Sequence, residues 1–346
     1  MKKIAVEEHV LTQGYLDYLR SRKEWPKRET VPEDGGKFER EWWAPDRYRK
    51  MPLGVPTRIE DLGQGRLKEM DEGGIDMQVL SLSFPGVEFF NAADAMAVSK
   101  IVNDRLAQAV KQYPQRFAAF ATIAPQDPQG AAAELERAVK ELGLKGVMVN
   151  GSVQGEYLDL KKYWPIFAKA EQLDVPIYIH PKMPAQDMIK PYMAYPGLTQ
   201  AMLGFAADAS LHAMRLILSG VFDKHPGLKI ILGHLGEALP FWIWRMDSRW
   251  YEVKKFDHDA AEYYKDFKKT PSQYFKENFY VTTSGMFWAP ALEFVARVFG
   301  ADRILFATDY PYESVEEAVT FMDNAQLSQE DKENIYHSNA QRLLKL

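Results

Sequence analysis

The 346-residue chain contains no cysteine. Disulfides, thiolate metal sites and a cysteine nucleophile are thereby excluded, and any metal must be held by His, Asp or Glu. No apolar run approaches the length that crosses a bilayer. Blocks of single-sign charge are absent and the net charge is −5, so neither nucleic acid nor a membrane is an expected partner. The opening MKKIAVEEHV lacks the apolar stretch of a signal peptide, because acids arrive at position 7; a cytoplasmic location is the expectation. A glycine-rich phosphate turn is also missing after the first strand-like run, where EEHVLTQG stands instead. No internal repeat or low-complexity tract occurs.

What is present is a regular alternation. Hydrophobic residues make up 46% of the chain, ample for a large core. Strand-like runs at 4–10, 77–83, 117–123, 146–152, 175–180, 228–236, 278–285 and 303–310 are separated by helical patterns. One such helix, over 92–112, carries Val98, Val102, Leu106 and Val110 at one-turn spacing. Near-continuous apolar strands alternating with helices predict parallel pairing with both faces covered. Repetition on this scale predicts an α/β fold of the closed (β/α)8 TIM-barrel type, with a doubly wound sheet as the alternative. The chain reads as one domain over 1–346. Segment 11–56 interrupts the alternation after strand one; rich in Trp, Tyr and charge, it reads as a lid or an arm reaching a second subunit, or equally as a loop packed on its own barrel.

Barrel enzymes place their chemistry at the C-terminal ends of the strands. Strand one ends in Glu7 and His9, which share a face at i, i+2, while Glu8 points away. Strand five ends in His180. Strand six ends in His234, with Glu237 one turn on, and strand eight ends in Asp309. Taken singly, each has an ordinary reading: His9 as a core histidine, His180 as a strand-end cap, Asp309 as the start of a turn. Taken together they predict a shared metal-binding rim. Two imidazoles and two carboxylates suit Zn²⁺, Mn²⁺ or Fe²⁺ and are too nitrogen-rich for Ca²⁺ or Mg²⁺. His234 paired with Glu237 reads either as a further ligand or as an oriented acid–base group.

These stretches also carry a resemblance. VEEHV, VPIYIHP, FDKHPGLKIILGHLGEALPFWIWRMD, ENFYVTTSG and DRILFATDYPYE are similar to the amidohydrolase superfamily, in its aminocarboxymuconate-semialdehyde decarboxylase branch. Within that branch the chain most resembles the hydroxybenzoate decarboxylases. The superfamily more often opens with His-x-His; Glu7-x-His9 in its place is typical of this branch. The resemblance implies one divalent metal, Mn²⁺ or Zn²⁺, on Glu7, His9, His180 and Asp309, with His234 and Glu237 as catalytic groups beside it. It further implies substrate contacts from Arg245 and Arg58, the latter possible across a dimer interface, and from Ser83 and Tyr312. Surface salt bridges are the ordinary reading of the two arginines.

The implied reaction is non-oxidative decarboxylation of an ortho-hydroxylated aromatic acid. The metal would chelate carboxylate and phenolic oxygens, Asp309 would protonate the ring carbon, and carbon dioxide would leave. Phe84, Phe287 and Trp288 are expected to hold the ring. The alternative is a metal-dependent hydrolase of a lactone or similar carbonyl using a metal-bound water; a non-enzymatic barrel would be expected to lack a ligand, and none is missing. A small aromatic carboxylate and a second copy of the chain, as homodimer or homotetramer, are the expected partners.

Overall fold

The computed structural model describes residues 1–33, 36–44, 47–52, 57–185 and 187–346. In chain order the strands are β1 (Ile4–Val10), β2 (Lys27–Glu33), β3 (Gly36–Ala44), β4 (Arg47–Pro52), β5 (Met77–Leu82), β6 (Phe117–Ala119), β7 (Val147–Asn150), β8 (Ile177–His180), β9 (Ile230–Leu232), β10 (Phe279–Thr282) and β11 (Ile304–Leu305). Two parallel sets form, β1-β5-β6 and β11-β10-β9-β8-β7. Parallel bridges join them at both seams, Ala121 to Val147 and Glu8 to Tyr310. The N–H of Met148 donates to Ala121 O at 2.9 Å, and that of His9 to Tyr310 O at 2.8 Å. The strands therefore close on themselves as a barrel.

The paired strands are shorter than the apolar runs that predict them. At the barrel mouth, backbone N–H groups leave the ladder and donate to side chains. Thr122 N–H donates to Asn103 Oδ1 at 2.7 Å, Asn150 N–H to Glu88 Oε1 at 2.7 Å and Thr308 N–H to Glu8 Oε1 at 3.0 Å. The groups stay satisfied, and the strand ends are free to splay.

The barrel interior is graded along its axis. Ile4, Val6, Val79, Phe120, Met148, Ile231 and Leu305 pack together, sealed by Leu343 and Leu344 of the closing helix Asn339–Leu344. Toward the C-terminal ends the buried side chains turn polar: Glu7, His9, Ser81, His180, Thr282 and Ser284. On β1 this change rests on an irregularity. Register against β5 shifts between Ala5 and Glu8, so Val6 joins the interior cluster and yet Glu7 and His9 reach the mouth. Glu8 turns away and is held by Thr308 and, at 3.0 Å, by Gln78 Nε2. Burial pushes its carboxyl up to about 8, against the pull of Thr308 and Arg66.

Segment 11–56 builds the helix Gln13–Ser21 and an antiparallel sheet β2-β3-β4. Residues 53–56 and the Tyr48 side chain lie outside the described residues. Among the described residues no helix is long and apolar enough to cross a membrane.

One buried histidine away from the mouth sets a pH expectation. His212, in helix Gly204–Leu218, is fully buried and its Nε2 accepts the Leu158 N–H at 3.0 Å. Burial, with Lys182 and Arg215 nearby, lowers its pKa to about 3. The unfolded chain takes up this proton near pH 6.5 and the folded chain does not. Stability is therefore fully present above pH 6.5 and falls by about 1.4 kcal/mol per pH unit below it. Urea midpoints at pH 7.5 and 5 should show that loss in the wild type and a smaller one in His212→Gln; equal losses would contradict it.

Candidate metal and active site

Glu7 is fully buried, and its two oxygens live in different surroundings. Oε2 accepts hydrogen bonds from Tyr178, from Ser284 and, at 3.1 Å, from Thr282. Oε1 makes none, although His180 Nε2 lies 3.3 Å and His9 Nε2 3.8 Å away. Both ring nitrogens of His9 are buried without a hydrogen bond, as is Nδ1 of His180. The two rings stand edge to face with centroids 4.7 Å apart. Buried nitrogens and a carboxylate oxygen left without hydrogen bonds are unfavourable, and a bound cation would satisfy them together. One donor atom from each of Glu7, His9 and His180 falls within 4.8 Å of the others. Asp309 Oδ1 approaches His9 Nε2 at 3.0 Å. This mixed nitrogen and oxygen set fits a divalent transition metal.

Charge supports the same fit. Burial alone would raise the Glu7 carboxyl, but the neighbouring imidazoles of His180, His234 and His9 hold it well below the carboxylate range. Burial lowers His180, which favours the neutral imidazole a metal requires.

His234 and Glu237 form a second pair beside the first. His234 Nδ1 is 2.7 Å from Glu237 Oε1, and its Nε2 is 4.0 Å from Asp309 Oδ2. Burial opposes charge on His234, but Glu237, with Glu7 and Asp309 behind it, lifts the imidazole to about 10. Strand pairing ends at Leu232, short of the predicted 228–236 run, and the backbone then turns left-handed. His234, Leu235, Gly236, Glu237 and Ala238 all have positive φ, at 51°, 54°, 82°, 52° and 65°, and the helix starts only at Leu239. A left-handed turn is costly for non-glycine residues and is found where function holds side chains in place. Asp309 shares the feature at φ 58°. Gly285, at φ +57°, packs beneath: a Cβ there would sit 2.9 Å from His234 Cδ2.

A cavity of about 340 Å³ opens onto these groups, lined by His180, His234 and Asp309 together with Ser83, Phe84, Phe205, Tyr312, Glu313, and Glu41 and Trp43 of β3. The Ser83 and Tyr312 hydroxyls are 2.7 Å apart. Trp43 and Phe84 meet edge to face at 6.1 Å. Phe287 and Trp288 are not in this wall: Phe287 packs on Phe321 at 5.8 Å and Trp288 is 63% exposed. Neither arginine lines the cavity of its own chain. Arg58 pairs with Glu69 at 2.5 Å and lies over the Tyr310 ring; Arg245 is exposed on helix Leu239–Phe256.

The sequence model of the family described as Amidohydrolase matches residues 41–346. The chain belongs to the amidohydrolase family. This amidohydrolase is 38% identical to the gamma-resorcylate decarboxylase of Polaromonas sp. (strain JS666 / ATCC BAA-500), over 99% of this chain and 98% of that one. It is similar to the crystal structure of 5-carboxyvanillate decarboxylase from Sphingomonas paucimobilis, with a TM-score of 0.86 and 35% identity over 100% of this chain and 99% of the other. A dihydroxybenzoic acid decarboxylase from Polaromonas sp. JS666, solved with bound manganese and the inhibitor 2-nitroresorcinol, matches with a TM-score of 0.84 and 38% identity, covering 100% and 97% of the two chains.

Reading the sequence alone missed the hydroxyl cradle of Glu7. Its signal was available: Tyr178 precedes His180 by two residues, and Thr282 precedes Ser284 by two, the same one-face spacing that joins Glu7 to His9.

Proposed function

We propose that this amidohydrolase is a metal-dependent, non-oxidative decarboxylase of an ortho-hydroxylated aromatic acid. The observation that carries the reading is the half-satisfied Glu7: one oxygen taken by three hydroxyls, the other without a hydrogen bond and facing the imidazoles of His9 and His180 in a buried pocket beside Asp309. Relatives aligned along nearly the whole chain are decarboxylases of such acids, which favours this reaction over hydrolysis. The metal is proposed to be manganese, on Glu7 Oε1, His9 Nε2, His180 Nε2 and Asp309; the manganese in the related Polaromonas structure supports that choice over zinc. When bound, such an ion supplies a Lewis acid and a template for adjacent carboxylate and phenolic oxygens.

The chain's own residues would do the rest. Asp309 delivers a proton to the ring carbon that bears the carboxylate. The bond from that carbon to the carboxylate then breaks, its electron pair returns to the ring, and carbon dioxide leaves. His234, held charged by Glu237, donates toward the substrate carboxylate and, with its Nε2 4.0 Å from Asp309 Oδ2, would return the proton to Asp309 through one bridging water. Phe84, Trp43, Phe205 and Tyr312 confine the ring and exclude water.

Arg58 and Arg245 remain proposed substrate contacts, presented by a second copy of the chain. Exposed Phe241, Trp242 and Trp244 beside Arg245 form an apolar face that suits a homo-oligomer. Sedimentation should return a dimer or tetramer, and a fully active monomer would exclude this arrangement.

The reaction itself is tested with 2,3-, 2,4-, 2,5- and 2,6-dihydroxybenzoate and 5-carboxyvanillate, following carbon dioxide release, against a panel of lactones. Release from at least one acid is expected. Lactone opening with no carbon dioxide from any acid would reverse the assignment.

A further inference from the structure

Glu41 belongs to the inserted sheet, yet it faces the cavity. It stands on β3 opposite Arg28 of β2, and each is 1% exposed. Arg28 Nε donates to Glu41 Oε2 at 3.1 Å. The same guanidinium donates to Glu39 Oε2 at 3.3 Å and lies 3.8 Å from Glu60 Oε1. Glu39 is in turn gripped by Arg20, at 2.6 Å and 3.1 Å. The planar guanidinium holds the strand-borne carboxylate at Oε2, and a carboxylate at the cavity wall has about four lone-pair sites. Trp43, two residues on and on the same face, lies against Phe84 and supplies an aromatic wall next to it.

A buried carboxylate is an expensive wall for an apolar ring and a strong acceptor for a hydroxyl. It repels a second carboxylate. The metal cluster and His234 are already committed to the reacting carboxylate and its ortho oxygen, so Glu41 addresses another part of the ring. Resting on the decarboxylase reading above, we propose that Glu41 is a specificity-determining residue that accepts a hydrogen bond from a further ring hydroxyl and rejects a second carboxylate there.

The test compares manganese-loaded wild type with Glu41→Gln and Glu41→Leu. Values of kcat/KM are taken on 2-hydroxybenzoate, the four dihydroxybenzoates with an ortho hydroxyl, and 2-hydroxyisophthalate. Wild type should prefer at least one dihydroxy acid over 2-hydroxybenzoate by about 10- to 100-fold, the size expected of a hydrogen bond to a charged group. Glu41→Gln should shrink that ratio, Glu41→Leu should erase it, and both should gain on the diacid relative to wild type. Calorimetry with phenol, catechol and resorcinol reads the same contact without turnover: the diol with the further hydroxyl should lose its advantage over phenol in Glu41→Leu. Unchanged ratios in both variants, or an equal loss on every acid and every phenol, would overturn the proposal. A wild type that releases no carbon dioxide but still binds the diol through Glu41 would instead sink the decarboxylase reading and leave this contact standing.

Discussion

Asp309→Asn is expected to slow carbon dioxide release by about 10²- to 10⁴-fold, the range spanned by a positioned proton donor. The exchange is nearly isosteric, and asparagine tolerates the left-handed backbone at φ 58° as aspartate does. The fold should therefore survive. An amide oxygen can still face His9 Nε2, so part of the metal affinity should persist. What disappears is a group able to carry the proton to the ring carbon. Stopped assays of carboxylate loss, with circular dichroism and metal content on the same samples, separate these effects. Turnover within about threefold of wild type would remove Asp309 from proton transfer, because a general acid is worth more than that.

The second large effect is at Glu7. In Glu7→Gln one of the two terminal atoms becomes an NH₂ donor. Turned toward Tyr178, Thr282 and Ser284, it meets three hydroxyls that now donate to Oε2. Turned toward His9 and His180, it places N–H groups where a cation would sit. Either way the negative charge is gone. Manganese affinity should fall by more than the roughly 10- to 100-fold that loss of an outer partner costs a metal site. Equilibrium dialysis reads this without any assay of turnover. Wild-type affinity in the variant would show that the buried carboxylate holds no metal.

Much of this arrangement is legible from sequence, for a physical reason. A strand has a period of two, and a barrel gathers its strand ends at one mouth, so Glu7, His9, His180, His234 and Asp309 could be placed near one another from spacing alone. Four features were not legible. The register shift on β1 leaves no mark in IAVEEHV, yet it lets Val6 and Glu7 both serve the interior. The turn at 234–238 contradicts local propensity: only one of its five residues is glycine, and surrounding packing and the His234–Glu237 bond outweigh the backbone cost. The inserted sheet is hidden because KRETVPE and GKFEREWWA look solvent-facing; Arg28 and Glu41 are buried only as a cross-strand pair, which neither strand reveals alone. The exposure of Arg245 follows from which face of its helix the barrel covers, and the helix sequence LPFWIWRMDSRWYEVKKF is apolar on both sides.

Chelator-treated protein, verified metal-free by elemental analysis, can be titrated with manganese while carbon dioxide release from a dihydroxybenzoate is followed. Activity should be absent at the start, rise in proportion to added ion and level off at one equivalent per chain. Full release from the metal-free protein would mean that Glu7, His9, His180 and Asp309 meet at the barrel mouth for some other reason.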